Sequence, residues 1–218
     1  MNAKPPRRTR ERILERSLRL FNDLGEPNVT ASAIADELRI SPGNLYYHFA
    51  NKDAIVEALF ERFDTEIRAL LDETARAEIR LESARPFLRL LFGSIWRYRF
   101  VYRDINDLLS RHRSLELGLQ AIVAHKAAAA GLLCRALADS GDLAASPAEI
   151  ATLTTNMAVV ATGWLPYEYI ANARRFSEPA FQAASVERGA EQVLALLRPW
   201  LSPANRRQLD AAAERRLS

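Results

Sequence analysis

Only two residues, Arg39 and Ile40, separate one helical pattern from the next. Before them, ASAIADEL puts Ala31, Ile34, Ala35 and Leu38 on one face, with Thr30 placed to cap the helix. After them, Ser41 is suited to cap another helix, and Pro42 to take its first position, where a missing N–H costs nothing. A link this short allows only a tight turn. A longer helix precedes the pair. It is expected to start near Thr9 as cap, with Glu11 in its first turn, and to repeat Ile13, Leu14, Leu18, Phe21 and Leu24 until Gly25 stops it. Three short helices with a tight turn between the second and third make a helix-turn-helix. Asn51 then caps a fourth and much longer helix through KDAIVEALFERFDTEIRALLDE.

The third helix carries SPGNLYYHFANK, residues 41–52, in which two tyrosines and a histidine stand side by side. A helix turns by about 100° per residue, so three consecutive rings cannot share one core. Leu45 and Phe49, four apart, take the inner face, leaving Tyr46, Tyr47 and His48 to fan across the outside beside Gly43 and Asn44. Free amides at the start of a helix suit phosphate. Tyrosine hydroxyls and an imidazole N–H donate to phosphate oxygens, and ring edges pack on thymine methyl groups. Thr30 can bond to a phosphate from across the groove, and Lys52 adds a charge contact. The competing reading is that any one of the three rings packs against the first helix. Charge placement points the same way as the rings. Lys4, Arg7, Arg8, Arg10, Arg12, Arg16 and Arg19 against Glu11 and Glu15 give the first twenty residues +5, within a whole-chain charge of +3. A basic arm suits a polyanion, although a solvated tail looks the same.

Beyond residue 80 the pattern is all helical. Gly and Pro number 8 and 10 in 218 residues, nearly half the chain is apolar, and no alternating β-branched run argues for a strand. Helices are expected over about 85–100, across DINDLLSRH, over 114–139, from Pro147 onward, and over about 186–201, with a short polar helix or frayed tail at the end. SGDLAASP and RRFSEP read as loops. The expected division is a helix-turn-helix domain over 1–50, a connecting helix over 51–80, and a second helical domain over 81–218. One short helix reads too few base pairs for selective binding, so a reader of this kind needs a partner, with half-sites about 34 Å apart. Val186, Ala190, Val193 and Leu197, broadened by Trp200, make a stripe wider than one core contact requires. Ala158, Ala161 and Thr162 are small enough for close helix packing. A deep core within one subunit is the alternative for both sets.

Residues 9–60 resemble the DNA-binding domain of the TetR family of bacterial transcriptional regulators. The resemblance is carried by RILERSLRLFNDLG and VTASAIADELRISPGNLYYHFANKDAIVEALF, and GNLYYHF is especially similar to the form in multidrug-binding members. It implies an all-α protein that pairs its last two major helices into a four-helix interface. It also implies DNA contacts at Thr30, Ser41, Gly43, Asn44, Tyr46, Tyr47, His48 and Lys52. Pro42 departs from the family, which often has a polar or basic residue there. The second domain of this family usually encloses a small-molecule chamber and moves the DNA-reading heads through the fourth helix. The expected lining is Phe92, Trp96, Phe100, Tyr102, His112, Asn156, Val160 and Trp164, although core packing explains any one of these aromatics equally well. Aromatic walls with a few polar groups suit a hydrophobic or amphipathic effector, with Arg97, Arg99 and Arg103 available to an acidic head group. The resulting expectation is a cytoplasmic homodimeric repressor released from a palindromic duplex DNA operator by such a molecule. An activator, or a regulator that answers to a protein partner, is the alternative.

Other classes find little support. No paired carboxylates in an apolar setting, Ser–His–Asp arrangement or phosphate loop argues for an enzyme. His48, His112 and His125 lack ligand spacing, so neither a metal nor a cofactor is expected. The single Cys134 lies in the apolar run AAAAGLLCRALA and reads as a buried structural thiol in a reducing cytoplasm. The N-terminus lacks the apolar core of a secretory signal. The uncharged run 150–167 contains Thr152, Thr154, Thr155, Asn156, Thr162 and Pro166, which makes it a buried helix and not a membrane span.

Overall fold

The computed structural model describes residues 6–76 and 80–214. They form eleven α-helices: α1 (Pro6–Leu24), α2 (Ala31–Leu38), α3 (Pro42–His48), α4 (Lys52–Arg76), α5 (Leu81–Arg97), α6 (Arg99–Arg103), α7 (Ile105–Arg111), α8 (Arg113–Asp139), α9 (Pro147–Asn172), α10 (Pro179–Ala195) and α11 (Pro203–Glu214). Among the described residues no strand forms, only an isolated bridge between Leu143 and Leu201.

The expected caps are largely in place. The Thr30 hydroxyl accepts from the Ala33 N–H at 3.1 Å, that of Ser41 from the Asn44 N–H at 3.2 Å, and Asn51 Oδ1 from the Ala54 N–H at 2.8 Å. At the head of α9, Ser146 and Glu149 cap each other's backbone at 3.3 and 2.7 Å. Several boundaries differ from expectation. α1 begins at Pro6, so Thr9 lies inside it and caps nothing. α5 starts four residues early and stops at Arg97, because Tyr98 breaks the helical geometry at φ −110°, ψ 37°. α10 begins at Pro179, which pre-sets its first turn, and Trp200 falls in a 3-10 turn beyond it. Pro166 sits within α9 without ending it.

The helices cluster into two compact units. They are not the continuous 1–50, 51–80 and 81–218 segments expected from the sequence. The first unit comprises residues up to Thr65 together with Tyr98–Gly118, and the second Glu66–Arg97 with Leu119 onward. Residues 98–118 join the first unit because their apolar side chains complete its core. Phe100 packs on Phe21 with ring centroids 5.5 Å apart, and Phe63 meets Tyr98 at 5.4 Å and Tyr102 at 5.9 Å. In the second unit Trp96 stacks on Phe176 at 4.7 Å and sits 6.2 Å from Phe181, which pins the turn between α9 and α10. α8 is long and apolar enough to cross a membrane, but α5, α9 and α10 are core helices of the same unit, and Cys134, Leu137 and Ile122 on α8 are buried.

Candidate nucleic-acid interface and apolar cavity

The first unit presents α3 as the sequence requires. Leu45 is fully buried and Phe49 nearly so, while Tyr46 and Tyr47 are 50% and 77% exposed. Thr30, Ser41, Gly43 and Asn44 are exposed beside them and His48 is half-buried, its ring 5.0 Å from Tyr47 in an edge-on contact. A Cβ added to Gly43 would approach only Ser41 Oγ, at 4.0 Å, so this backbone stands open. The two-residue link is made by Arg39 in the left-handed region (φ 54°, ψ 48°), its N–H bonded to the Ala35 and Asp36 carbonyls. A non-glycine residue there carries a cost of roughly 1 kcal/mol. It places an exposed cation next to α3. Sequence reasoning missed Arg39, because nothing in the pattern RI marks a left-handed residue.

Lys52 is placed differently from expectation. Its Nζ forms an ion pair with Glu26 Oε1 at 2.8 Å and donates to the Glu26 carbonyl at 3.0 Å. The Glu26 side chain is completely buried, and Arg111 meets its other oxygen. Arg111 also binds Asp107 at 2.7 Å and lies 3.3 Å from Asp53, while Asp104 accepts from the Glu26 N–H at 2.9 Å. Lys52 therefore neutralises a buried carboxylate, and its ammonium is committed within the protein. Arg103 is held in a similar way. It donates to the Phe21 carbonyl at 2.6 Å and the Asn22 carbonyl at 3.0 Å, closing the C-terminus of α1 with a cation. Of the basic arm, Arg10 lies 4.9 Å over the Phe49 ring and Arg16 pairs with Glu37 at 3.1 Å; Lys4 and the side chain of Arg7 fall outside the described residues.

The expected chamber residues are divided between the two units. Phe100, Tyr102 and His112 belong to the core of the first unit. Tyr102 is fully buried, which pushes its hydroxyl pKa well up, and His112 lies 3.5 Å from Asp53. Phe92, Trp96 and Trp164 are packing residues of the second unit. The Trp164 indole N–H donates to the Ser185 carbonyl at 2.9 Å, and its ring covers Gly189, where an added Cβ would lie 2.7 Å from Cδ1. Asn156 is exposed and Val160 half-buried on α9. The three arginines are engaged as well: Arg97 with Glu66 at 2.9 Å, Arg99 with Asp23 at 2.8 Å, and Arg103 as above. Aromatic spacing alone does not distinguish a wall from a core.

A cavity of about 230 Å³ does exist in the second unit, and smaller residues line it. Its walls come from the end of α4 (Leu71, Glu73), α5 (Phe87, Leu88, Leu91), α8 (Lys126, Ala129, Leu133), α9 (Met157, Ala158, Ala161) and Val193 of α10. Ala158, Ala161 and Val193 were expected at a subunit interface. They are instead buried within their own chain, as are Ala190 and Leu197, while Val186, Thr162 and Trp200 are half-buried. The outward face of α9 carries different residues. Val159, Tyr167 and Ile170 are 63%, 60% and 82% exposed, and Gly163 lies between them with open space beyond its Cα. Glu168 also escaped sequence reading. This buried carboxylate ends the uncharged run, and Arg188 of α10 grips it through two hydrogen bonds of 3.1 and 2.7 Å. Cys134 is fully buried with Sγ 3.9 Å from Met157 Sδ, and burial pushes its thiol up to about 11. In the folded protein it should react with a thiol reagent at neutral pH at least tenfold more slowly than in urea; equal rates would show that the thiol is accessible.

Residues 13–59 match the family described as bacterial regulatory proteins, tetR family, and residues 62–209 match the TetR family described as bacterial transcriptional repressor. The tetracycline repressor protein class C of Escherichia coli is 32% identical over 95 residues, covering 44% of this chain and 41% of that protein. The match therefore spans less than half of that relative's length. A TetR-family transcriptional regulator from Marinobacter aquaeolei VT8 superimposes with a TM-score of 0.83 at 34% identity, covering 95% of this chain and 98% of that one. A triclosan complex of SmeT, the repressor of a Stenotrophomonas maltophilia multidrug efflux pump, shares the fold with a TM-score of 0.62 at 19% identity, covering 90% and 93%.

Proposed function

Because the chain belongs to the TetR family of bacterial transcriptional regulators, we propose that it is a cytoplasmic, homodimeric repressor that leaves its operator when an apolar or amphipathic small molecule enters the second-unit cavity. The observation that carries the reading is α3 itself, whose large rings project outward from a short helix anchored by Leu45 and Phe49. Rings held that way cost apolar exposure and repay it when they meet a groove. Thr30, Ser41, Gly43, Asn44, Tyr46, Tyr47 and His48 form the DNA face, with Arg39 added to it. Lys52 is assigned to holding Glu26. α4 is one continuous helix that contributes residues to both units, so it can carry a change in the cavity to the DNA-reading helices. The test is to sequence genomic fragments retained by the purified protein and screen for compounds that release them. Retention of no fragment in dilute salt would refute the reading.

Tyr47 touches no core, so Tyr47→Ala should leave the melting temperature nearly unchanged. It should weaken the preferred site by roughly 10- to 100-fold, the discrimination one good base contact supplies. Random DNA should lose less. Equal losses on both would reassign Tyr47 to gripping the backbone.

We place the subunit interface on the outward α9 face of Val159, Gly163, Tyr167 and Ile170, in place of the buried stripe expected from the sequence. A row of exposed apolar side chains at helical spacing with an open glycine suits a second copy of the same helix. Ile170→Glu combined with Val159→Glu should give a folded monomer by sedimentation that no longer holds its operator. A double variant that stays dimeric would move the interface elsewhere.

A further inference from the structure

We propose that the cavity of the second unit is a length gauge for an aliphatic chain, taking about nine carbons and recognising them by volume and not by charge. This rests on the reading of the cavity as the effector site and specifies what enters it. Small-molecule sites usually orient their guests with a few well-placed polar groups. Here the polar residues on the wall are Glu73, Ser83 and Lys126. The Ser83 hydroxyl donates to the Arg80 carbonyl at 2.7 Å and accepts from the Arg80 N–H at 3.2 Å, which occupies it in starting α5. Lys126 donates to the Ala161 carbonyl at 3.4 Å and the Thr162 hydroxyl at 3.3 Å, and is engaged in a further interaction. Glu73 is exposed, with Leu90, at the mouth, where solvent screens its charge. What is left to meet a guest at the inner end is hydrocarbon.

That hydrocarbon is mostly aliphatic. Phe87 is the one aromatic among the described lining residues, so a flat guest has a single ring to stack on. Ala129 and Ala130 of α8 and Ala158 and Ala161 of α9 create the space by what they lack, since a longer side chain at any of them would project into it. Ala129, Ala158 and Ala161 are buried and so close the inner end. The volume of about 230 Å³ compares with roughly 150 Å³ for a cavity that holds the six carbons of benzene, which scales to about nine carbons. Each buried CH₂ tightens binding about fourfold. A guest therefore gains with every added carbon until it reaches the alanines, and then no further.

Calorimetric titration of straight-chain primary alcohols, pentanol to dodecanol, into the full-length protein reads the gauge. Affinity should rise about fourfold per carbon up to about nine carbons and then level off or fall. Ala158→Leu extends the inner wall and should move that break to about six carbons. Leu133→Ala, which removes as much from another wall, should carry the rise past decanol. An unbroken rise through dodecanol in the wild type would overturn the gauge and leave the cavity standing as an effector site. A break that stays in place in both variants would put the chain elsewhere in the protein. Should one variant fold poorly, the other and the wild-type series still decide. Octanoate and octylamine should each bind within about fivefold of octanol, the most that a screened charge at the mouth contributes. A tenfold preference for either would overturn recognition by volume. Binding of no alcohol to the folded wild type would sink the cavity reading itself.

Discussion

Lys52→Ala should lower the stability of the protein by about 3 kcal/mol, a large part of the 5–15 kcal/mol that holds a typical domain together. The reason is the environment of Glu26. Its side chain is wholly buried and faces Lys52 on one oxygen and Arg111 on the other. Removing Lys52 leaves a dehydrated carboxylate with one partner, and that partner is itself shared with Asp107 and Asp53. Loss of one member of a buried pair costs about 3–5 kcal/mol, and the surviving Arg111 puts this case at the lower end. For a chain of this length the melting temperature should fall by roughly 6–12 °C. Lys52→Arg, which keeps the charge, should recover much of it. DNA binding should fail in parallel with folding of the first unit, whatever the sequence of the duplex. A Lys52→Ala protein that melts like the wild type but binds DNA weakly would instead return Lys52 to the phosphate-contacting set.

Gly189→Ala should be of comparable severity in the second unit. An added Cβ would lie 2.7 Å from Trp164 Cδ1, 2.9 Å from Nε1 and 3.1 Å from a carbon of Phe92. The far ends of flexible side chains could give way, but the indole is fixed by its bond to the Ser185 carbonyl at 2.9 Å. Forcing a methyl group into such a site costs about 1–3 kcal/mol in overpacking, and losing the indole hydrogen bond adds about 1. The combined loss is about 3 kcal/mol, read by urea unfolding. Trp164→Phe on the Gly189→Ala background should restore part of it, because the smaller ring vacates the space. No restoration would show that α9 and α10 separate for another reason.

The contrast between the two units explains where the sequence could be read. The helix-turn-helix was recoverable because its information is local. Thr30, Ser41 and Asn51 cap their own helices three residues on, and Leu45 and Phe49 share a face through helical spacing alone. Glu26 and Lys52 are 26 residues apart and Arg111 a further 59, so their meeting depends on tertiary packing that no short pattern encodes. The same limit misled the choice of cavity wall. Phe100 and Tyr102 look like chamber residues, yet the break at Tyr98 carries them into the other unit's core. Lys126 drew no notice because a lysine on a long helix is ordinarily solvated, and only the fold reveals that α5 and α9 enclose it. The stripe through Ala190, Val193 and Leu197 was correctly apolar, but periodicity cannot say whether an apolar face meets its own subunit or another.

The two sides of α9 place unlike tasks back to back. Ala158 and Ala161 floor the cavity while Val159 and Gly163, one and two residues further along the chain, look outward. With a second subunit seated on that outer side, only two α9 helices, each about 10 Å across, stand between the guests of the two protomers. A guest that shifts this shared partition changes the vacancy across it, so the pair should fill with a Hill coefficient other than one.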